Sequence, residues 1–256
     1  MMKSSLWLSA GDGVPAKLAL WGLVIVSIGL ACRPMPPVGN DSQNASRQRQ
    51  RREFHEVKYT DKSPEEWLTL LGHRNSQVRD QAIDALLQYG PEQIKPLIKI
   101  AADKSNPRAR LSAIRALGAF GPKAAEASAV LVEALEDQSW DGRDAAAEAL
   151  GLIKQATPEV LAALVRALHD PDERVRMASA RALGRCRTSD PAAIEGLTQA
   201  LGESDMNVQL AAIEALAEIG PAAKASLGEL QRIAETGPTL VRASAQEAIK
   251  RINSSP

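Results

Sequence analysis

Asp170 to Gly184 reads DPDERVRMASARALG, and most of the chain is this stretch written again. Take Val175 as offset 0. The pattern is then an apolar residue at 0, Arg at +1, Ala at +4 and +7, Leu at +8 and a bulky apolar residue at +11. It recurs from Val78, Ala109, Gly142, Val175, Val208 and Val241, at intervals of 31, 33, 33, 33 and 33 residues. Offset +7 is Ala85, Ala116, Ala149, Ala182, Ala215 and Ala248; offset +8 is Leu86, Leu117, Leu150, Leu183, Leu216 and Ile249. A fixed period in this range marks a solenoid or array.

Offsets 0, +4, +7, +8 and +11 share one face of a helical period, so each copy holds an amphipathic helix, B. A second apolar pattern lies upstream of each. It starts at Trp67, Ile98, Leu131, Leu164, Leu197 and Leu230 and continues at Leu71, Ala102, Leu135, Leu168, Leu201 and Ala234. This is helix A. One helix pair cannot bury its apolar face alone, so the pairs must stack.

Punctuation agrees with this division. Ser63-Pro64-Glu65-Glu66 is a capping box opening the first A helix, and Thr157-Pro158 and Asp190-Pro191 repeat the signal. Gly90-Pro91, Gly121-Pro122 and Gly220-Pro221 close B helices. Asn106-Pro107 and Asp170-Pro171 are read as starting B helices within their repeats.

DPDERVRMASARALG, with GPEQIKPLIKIAAD from Gly90 to Asp103, resembles the HEAT repeat in the short form of phycobilin-lyase-like proteins. The resemblance runs from about Ser63 to Ile252. It implies an all-α, right-handed α-solenoid of six stacked helix-turn-helix repeats, filling a domain over 61–256. Two columns mark where the stack ends. Offset +5 reads Ile83, Ile114, Ala147, Ala180, Ile213 and then Gln246; offset +9 reads Leu87, Gly118, Gly151, Gly184, Ala217 and then Lys250. Both turn polar only in the sixth copy, as expected of a flank with no following repeat.

Residues 1–60 are different. Lys3 and Lys17 precede an apolar run, Leu18 to Ala31, too short for a membrane span and suited to a signal-peptide core. Gly29-Leu30-Ala31-Cys32 resembles a bacterial lipoprotein signal, which implies lipidation of Cys32; an ordinary signal or an uncleaved anchor is the alternative. Residues 1–32 are thus read as signal peptide or anchor. Residues 33–60, rich in Pro, Asn, Ser, Gln and Arg, are read as a disordered linker. Phe54, Val57 and Tyr59 are expected to pack on the first repeat. The expected location is a membrane-associated, exported one.

Charge narrows the partners. The chain has 31 Lys+Arg and 31 Asp+Glu; 8 and 4 of these precede Asp61, leaving 23 and 27 in the repeats. A neutral-to-acidic repeat domain argues against nucleic acid, whose phosphates need a basic surface. Two cysteines make no disulfide framework.

No residue set points to catalysis, a metal or a cofactor. His55-Glu56 resembles the His-Glu pairs of HEAT-type di-iron hydroxylases, which need several pairs on facing helices. His73 and His169 fall in A–B turns, and Cys186 occupies the apolar +11 column. The +1 arginines, Arg79, Arg110, Arg143, Arg176 and Arg242, resemble the HEAT ladder. That resemblance implies acidic partners in the A–B turns, namely Asp137, Asp170 and Glu203.

The surface to watch is the outer side of helix B, taken as offsets +2 and +6. Offset +6 alternates in sign through Asp84, Arg115, Glu148, Arg181 and Glu214, so pairing across repeats is expected. Offset +2 places Leu111, Met177 and Leu210, large apolar groups, beside Asp144 on a face that should be wet. Trp140, in an A–B turn, is a second apolar oddity. The reading is a non-enzymatic scaffold binding protein or peptide on these residues. A bilin lyase, by analogy, and a structural envelope spacer are the alternatives.

Overall fold

A computed structural model describes residues 62–254. The segments read as signal, lipidation site, linker and N-terminal cap, with His55, lie outside them. The described residues form six helix pairs. The odd-numbered A helices are α1 (Pro64–Leu70), α3 (Ile94–Ala102), α5 (Ser128–Ala134), α7 (Pro158–Ala167), α9 (Pro191–Ala200) and α11 (Leu227–Thr236). The even-numbered B helices are α2 (Ser76–Tyr89), α4 (Pro107–Ala119), α6 (Trp140–Ile153), α8 (Glu173–Cys186), α10 (Met206–Ile219) and α12 (Thr239–Asn253). One continuous apolar core runs through the stack. Among the described residues no helix is long and apolar enough to cross a membrane.

The helices begin where the sequence offers caps. Ser63 and Glu66 form the reciprocal box, with Ser63 N donating to Glu66 Oε2 at 2.7 Å and Glu66 N to Ser63 Oγ at 3.3 Å. Thr157, Asp190 and Asn106 each accept from a backbone N–H of their helix's first turn. Each such cap contributes about 1 kcal/mol. Asp170 does not start α8; Asp172 does, accepting from Arg174 N at 2.9 Å. Gly90, Gly121 and Gly220 take positive φ after their B helices. Lys154 and Arg187 hold the left-handed conformation after α6 and α8 without being glycine.

The sequence register fails in one helix. In α3 the buried residues are Ile94, Leu97 and Ala101, while Ile98 is half-buried and Ala102 exposed. The A pattern there is displaced by one residue.

Adjacent B helices meet through very small residues. A methyl group on Gly118, Gly151 or Gly184 would lie 2.9, 2.8 or 2.7 Å from the Cα of Ala149, Ala182 or Ala215, the +7 alanine of the next repeat. Only hydrogen fits there, so +9 faces the following repeat as the sequence columns imply. Gln246 and Lys250, the corresponding residues of the sixth repeat, are exposed. At the opposite end Gln81, at offset +3, is exposed, whereas Ser112, Ala145, Ala178 and Ala211 at that offset are buried against the preceding repeat. Leu87 stands at +9 in α2, and the α2–α4 contact is the least extensive of the B–B contacts.

The +1 arginines link neighbouring repeats. Arg110 Nε and Nη2 donate to Asp137 at 2.9 and 2.8 Å, and Arg143 makes the same fork to Asp170 at 2.7 and 2.8 Å. Each acid belongs to the next repeat's A–B turn. Nη1 donates to carbonyls at the end of the arginine's own A helix or turn: His73 from Arg79, Ala101 from Arg110, Asp137 from Arg143 and Asp170 from Arg176. Arg176 reaches Glu203 only through Nη2 at 3.5 Å, leaving its buried Nε without a partner. The ladder therefore spans the three central junctions. At the first, Lys104 occupies the acid's position; at the last, Gln209 replaces the arginine and keeps only the bond to Leu201 O, at 2.7 Å.

Two experiments probe this framework. Helix propensity alone makes Gly→Ala stabilising by about 1 kcal/mol. Gly228 has open space around its Cα, so Gly228→Ala should gain up to about that much. Gly151→Ala should instead lower the denaturation midpoint, because the methyl must push α6 from α8. The second concerns pH. Burial pushes the Asp170 carboxyl up, but the Arg143 guanidinium and the Asp172 N–H outweigh this and hold it below its ordinary value. A depressed folded pKa contributes stability above the unfolded value, about 3.9, and loses it as pH falls through the folded one. Asp170→Asn should therefore cost about 1–3 kcal/mol at pH 7, as for losing the charge-assisted hydrogen bonds of a part-buried pair. The difference from the parent should shrink steadily below about pH 4 in urea melts.

Candidate protein-binding surface

On a helix of 3.6 residues per turn the core offsets centre near about 20°, and offsets +2, −1, +6 and +10 fall at about 200°, 260°, 240° and 280°. The flank near about 180° is offset +9, which packs on the next repeat. The open face is therefore not opposite the core. It is turned toward −1, +6 and +10, with +2 on its shoulder.

Exposure follows this geometry. Arg115, Glu148, Arg181 and Glu214 are exposed. Leu111, Met177 and Leu210 are half-buried and pack against the core, so the +2 column is less wet than its sequence position implies. Asp144 is also half-buried. Burial, then neighbouring Glu148, push its carboxyl up, against the pull of Arg115 and Arg174. Trp140 is the first residue of α6 and 41% exposed. The Arg174 guanidinium lies 4.3 Å from its ring centroid, joining the first turns of α6 and α8. A contact of this kind contributes about 0.5–1 kcal/mol at an exposed site.

Residues at −1 and +10 complete the face and were not among the sequence-based candidates. On α4 Arg108 joins Arg115; on α6 Asp141 joins Asp144 and Glu148. On α8 Arg174 and Arg185 join Arg181; on α10 Glu218 joins Glu214. The −1 and +10 columns were readable as part of the same helical face. Leu152 and Met206 add exposed apolar surface.

The result is a set of charge bands. At these four offsets every charged residue of α2, α6 and α10 is acidic, and every one of α4 and α8 is basic. Grooves run between the B helices. One has Asp144 and Glu148 on one wall and Met177, Arg181 and Arg185 on the other. The next has Arg181 and Arg185 facing Glu214 and Glu218. A third separates Glu214 and Glu218 from Glu247 and Arg251.

The expected cross-repeat pairing of the +6 column does not occur. Among the described residues no ion pair within 4.0 Å joins +6 side chains of neighbouring repeats. The inter-repeat pairs lie elsewhere: the ladder, and Lys104–Glu133 at 2.7 Å and Arg166–Glu136 at 3.8 Å. Only Glu247 of the column is ion-paired, to Lys250 and Arg251 of its own helix.

His73, His169 and Cys186 lie among the described residues. His73 Nδ1 accepts from Asn75 N at 3.1 Å, His169 is exposed, and burial pushes the Cys186 thiol up to about 11. Among the described residues no group of three or more His, Cys, Asp or Glu is placed to hold a metal ion.

Solved structures share the architecture. An engineered protein superposes with a TM-score of 0.55 at 24% identity, over 74% of this chain and 96% of that one. A designed armadillo repeat protein in complex with peptide (KR)4 gives 0.53 at 23%, over 73% and 98%. A computationally designed armadillo repeat protein for modular peptide recognition gives 0.53 at 22%, over 73% and 91%. No curated protein matches the chain. The family model for HEAT repeats matches residues 64–151, 128–201 and 186–250. With its six helix pairs stacked on one core, the chain belongs to the HEAT-repeat family.

Proposed function

We propose that this protein is a non-enzymatic scaffold that binds a protein or peptide across the B-helix face. The observation that carries the reading is the row of exposed, unpaired charges lining grooves whose shoulders are apolar. A few apolar anchors within a polar rim is the make-up of surfaces where affinity is concentrated in a few contacts. The peptide-binding armadillo neighbours add support at the level of architecture. The N-terminal segment tethers the scaffold to a bacterial membrane on its exported side, through a lipid on Cys32.

Arg115 and Arg181 are exposed and outside any ion pair, so Arg115→Glu with Arg181→Glu should leave the melting temperature within about 1–2 °C of the parent. The same variant should lose capture of the partner recovered from native membranes by the parent chain. Unchanged capture would remove the B face from the reading. A shift of the bilin's own visible band on mixing, together with transfer of the bilin to an acceptor protein, would favour the lyase alternative instead. The tether has its own test. Intact-mass analysis of membrane-extracted protein should give a chain beginning at a lipidated Cys32, and a mass that includes Met1 would overturn it.

A further inference from the structure

The four central B helices carry charge in an order that reads the same when it is reversed and its signs are exchanged. At the open offsets α6 has three acids, Asp141, Asp144 and Glu148, and α8 has three arginines, Arg174, Arg181 and Arg185. Outside these, α4 has two arginines, Arg108 and Arg115, and α10 has two acids, Glu214 and Glu218. The four helices thus hold five charges of each sign, and none of the ten is ion-paired among the described residues. A face of no net charge gives no hold on a partner of one sign, such as a basic tail or a nucleic acid. It selects a partner that is itself striped.

One surface matches these stripes in sign, number and spacing at once: the same face of a second copy. A closed dimer uses the same patch on both subunits, with each residue i meeting j and each j meeting i. The charges place the two-fold axis. An axis across the helices would lay each band upon itself, acid on acid. So would an axis along the helices and over any one of them. An axis along the helices and between α6 and α8 lays α6 on α8 of the second copy and α4 on its α10, opposite signs throughout. Such an axis keeps helix direction, so equal offsets fall level. Glu148 then meets Arg181, and Arg115 meets Glu214, each twice. Leu152, exposed in the last turn of α6, meets Arg185, whose aliphatic stem covers apolar surface. The match needs no particular distance between helices, because both copies have the same one.

We propose, on the reading that the B face is the binding surface, that its partner is a second copy of this chain, joined face to face about a two-fold axis between α6 and α8. Both Lys62 residues then lie at one end of the pair, since each backbone carbonyl accepts from Tyr89 Oη at 2.6 Å beside the last turn of α2. That arrangement suits two copies tethered to one membrane. Tethering raises their effective concentration, so an interface of exposed charges, weak in solution, suffices.

Sedimentation equilibrium of the full-length chain in density-matched detergent tests this. A dimer at low salt should give way to monomer in about 0.5 M NaCl, where screening shortens the reach of exposed charges. Glu148→Arg or Arg181→Glu alone sets like charges against each other at two symmetry-related places and should raise the dissociation constant at least about tenfold. The two together exchange the signs and should restore it to within about threefold of the parent. Helicity by circular dichroism should be unchanged in all three. A parent that stays monomeric at low salt, a dimer indifferent to both single changes, or a double variant no better than the singles overturns the proposal. If Arg115→Glu with Arg181→Glu still abolishes partner capture in that event, the face remains the binding surface and its occupant is a different protein.

Discussion

Successive B helices in the middle of the stack approach each other backbone to backbone. Gly118, Gly151 and Gly184 lie against the Cα of Ala149, Ala182 and Ala215, with no room for a methyl group. This contact sets how near successive B helices stand, and other features inherit that distance. Arg110 and Arg143 reach the next repeat's aspartate with both arms of the guanidinium, a geometry with little tolerance for displacement. The +10 residues sit over the same glycines, with Leu152 Cδ1 3.6 Å, Arg185 Cδ 3.5 Å and Glu218 Oε2 3.1 Å from the position a methyl on each would take. The charge bands are therefore seated by the same contact that packs the core.

Glycine in a helix interior costs about 0.5–1 kcal/mol relative to alanine. Here the cost is offset by dispersion contacts between closely apposed helices and by the buried ladder that the spacing allows. Both devices are concentrated in the middle. Leu87 replaces glycine at the first junction, Lys104 replaces the acid there, and Gln209 replaces the arginine at the last. In a linear stack stability is close to a sum of repeat and nearest-neighbour terms. The end repeats consequently have the weaker interfaces and should open first, leaving the central B face as the most ordered platform.

Much of this was legible in one sequence because the period amplifies weak signals. A single Gly at +9 says little, but the column as a whole, apolar or Gly until Lys250, marks the flank that faces the following repeat; how closely the backbones approach there came only from the structure. The acids facing the ladder were found through the family resemblance and not through spacing. What failed did so for physical reasons. GPEQIKPLIKIAAD contains Ile94, Leu97, Ile98, Ile100, Ala101 and Ala102, so a four-residue apolar step fits two registers, and packing alone selects Leu97 and Ala101. The open face was misplaced by part of a turn because helical periodicity locates the core, whereas neighbouring repeats cover the two flanks unequally. That shift half-buries Leu111, Met177 and Leu210 and brings Arg108, Arg174, Arg185 and Glu218 into the surface.

The unpaired bands raise the question of what alternating charge contributes to the fold. Opposite charges about 9 Å apart attract by only about 0.5 kcal/mol in water, and salt reduces this further over a Debye length of about 8 Å. Against a net stability of about 5–15 kcal/mol that is a small term for any one step. The ladder already supplies buried, directional links at the central junctions, so register does not depend on the bands. Their energetic effect is larger on a third body. A charge placed in a groove lies nearer to each wall than the walls lie to one another, and its interaction with both grows as water is displaced. An arrangement that adds little to the empty solenoid but strongly favours an occupant of alternating charge is better accounted for by binding than by folding.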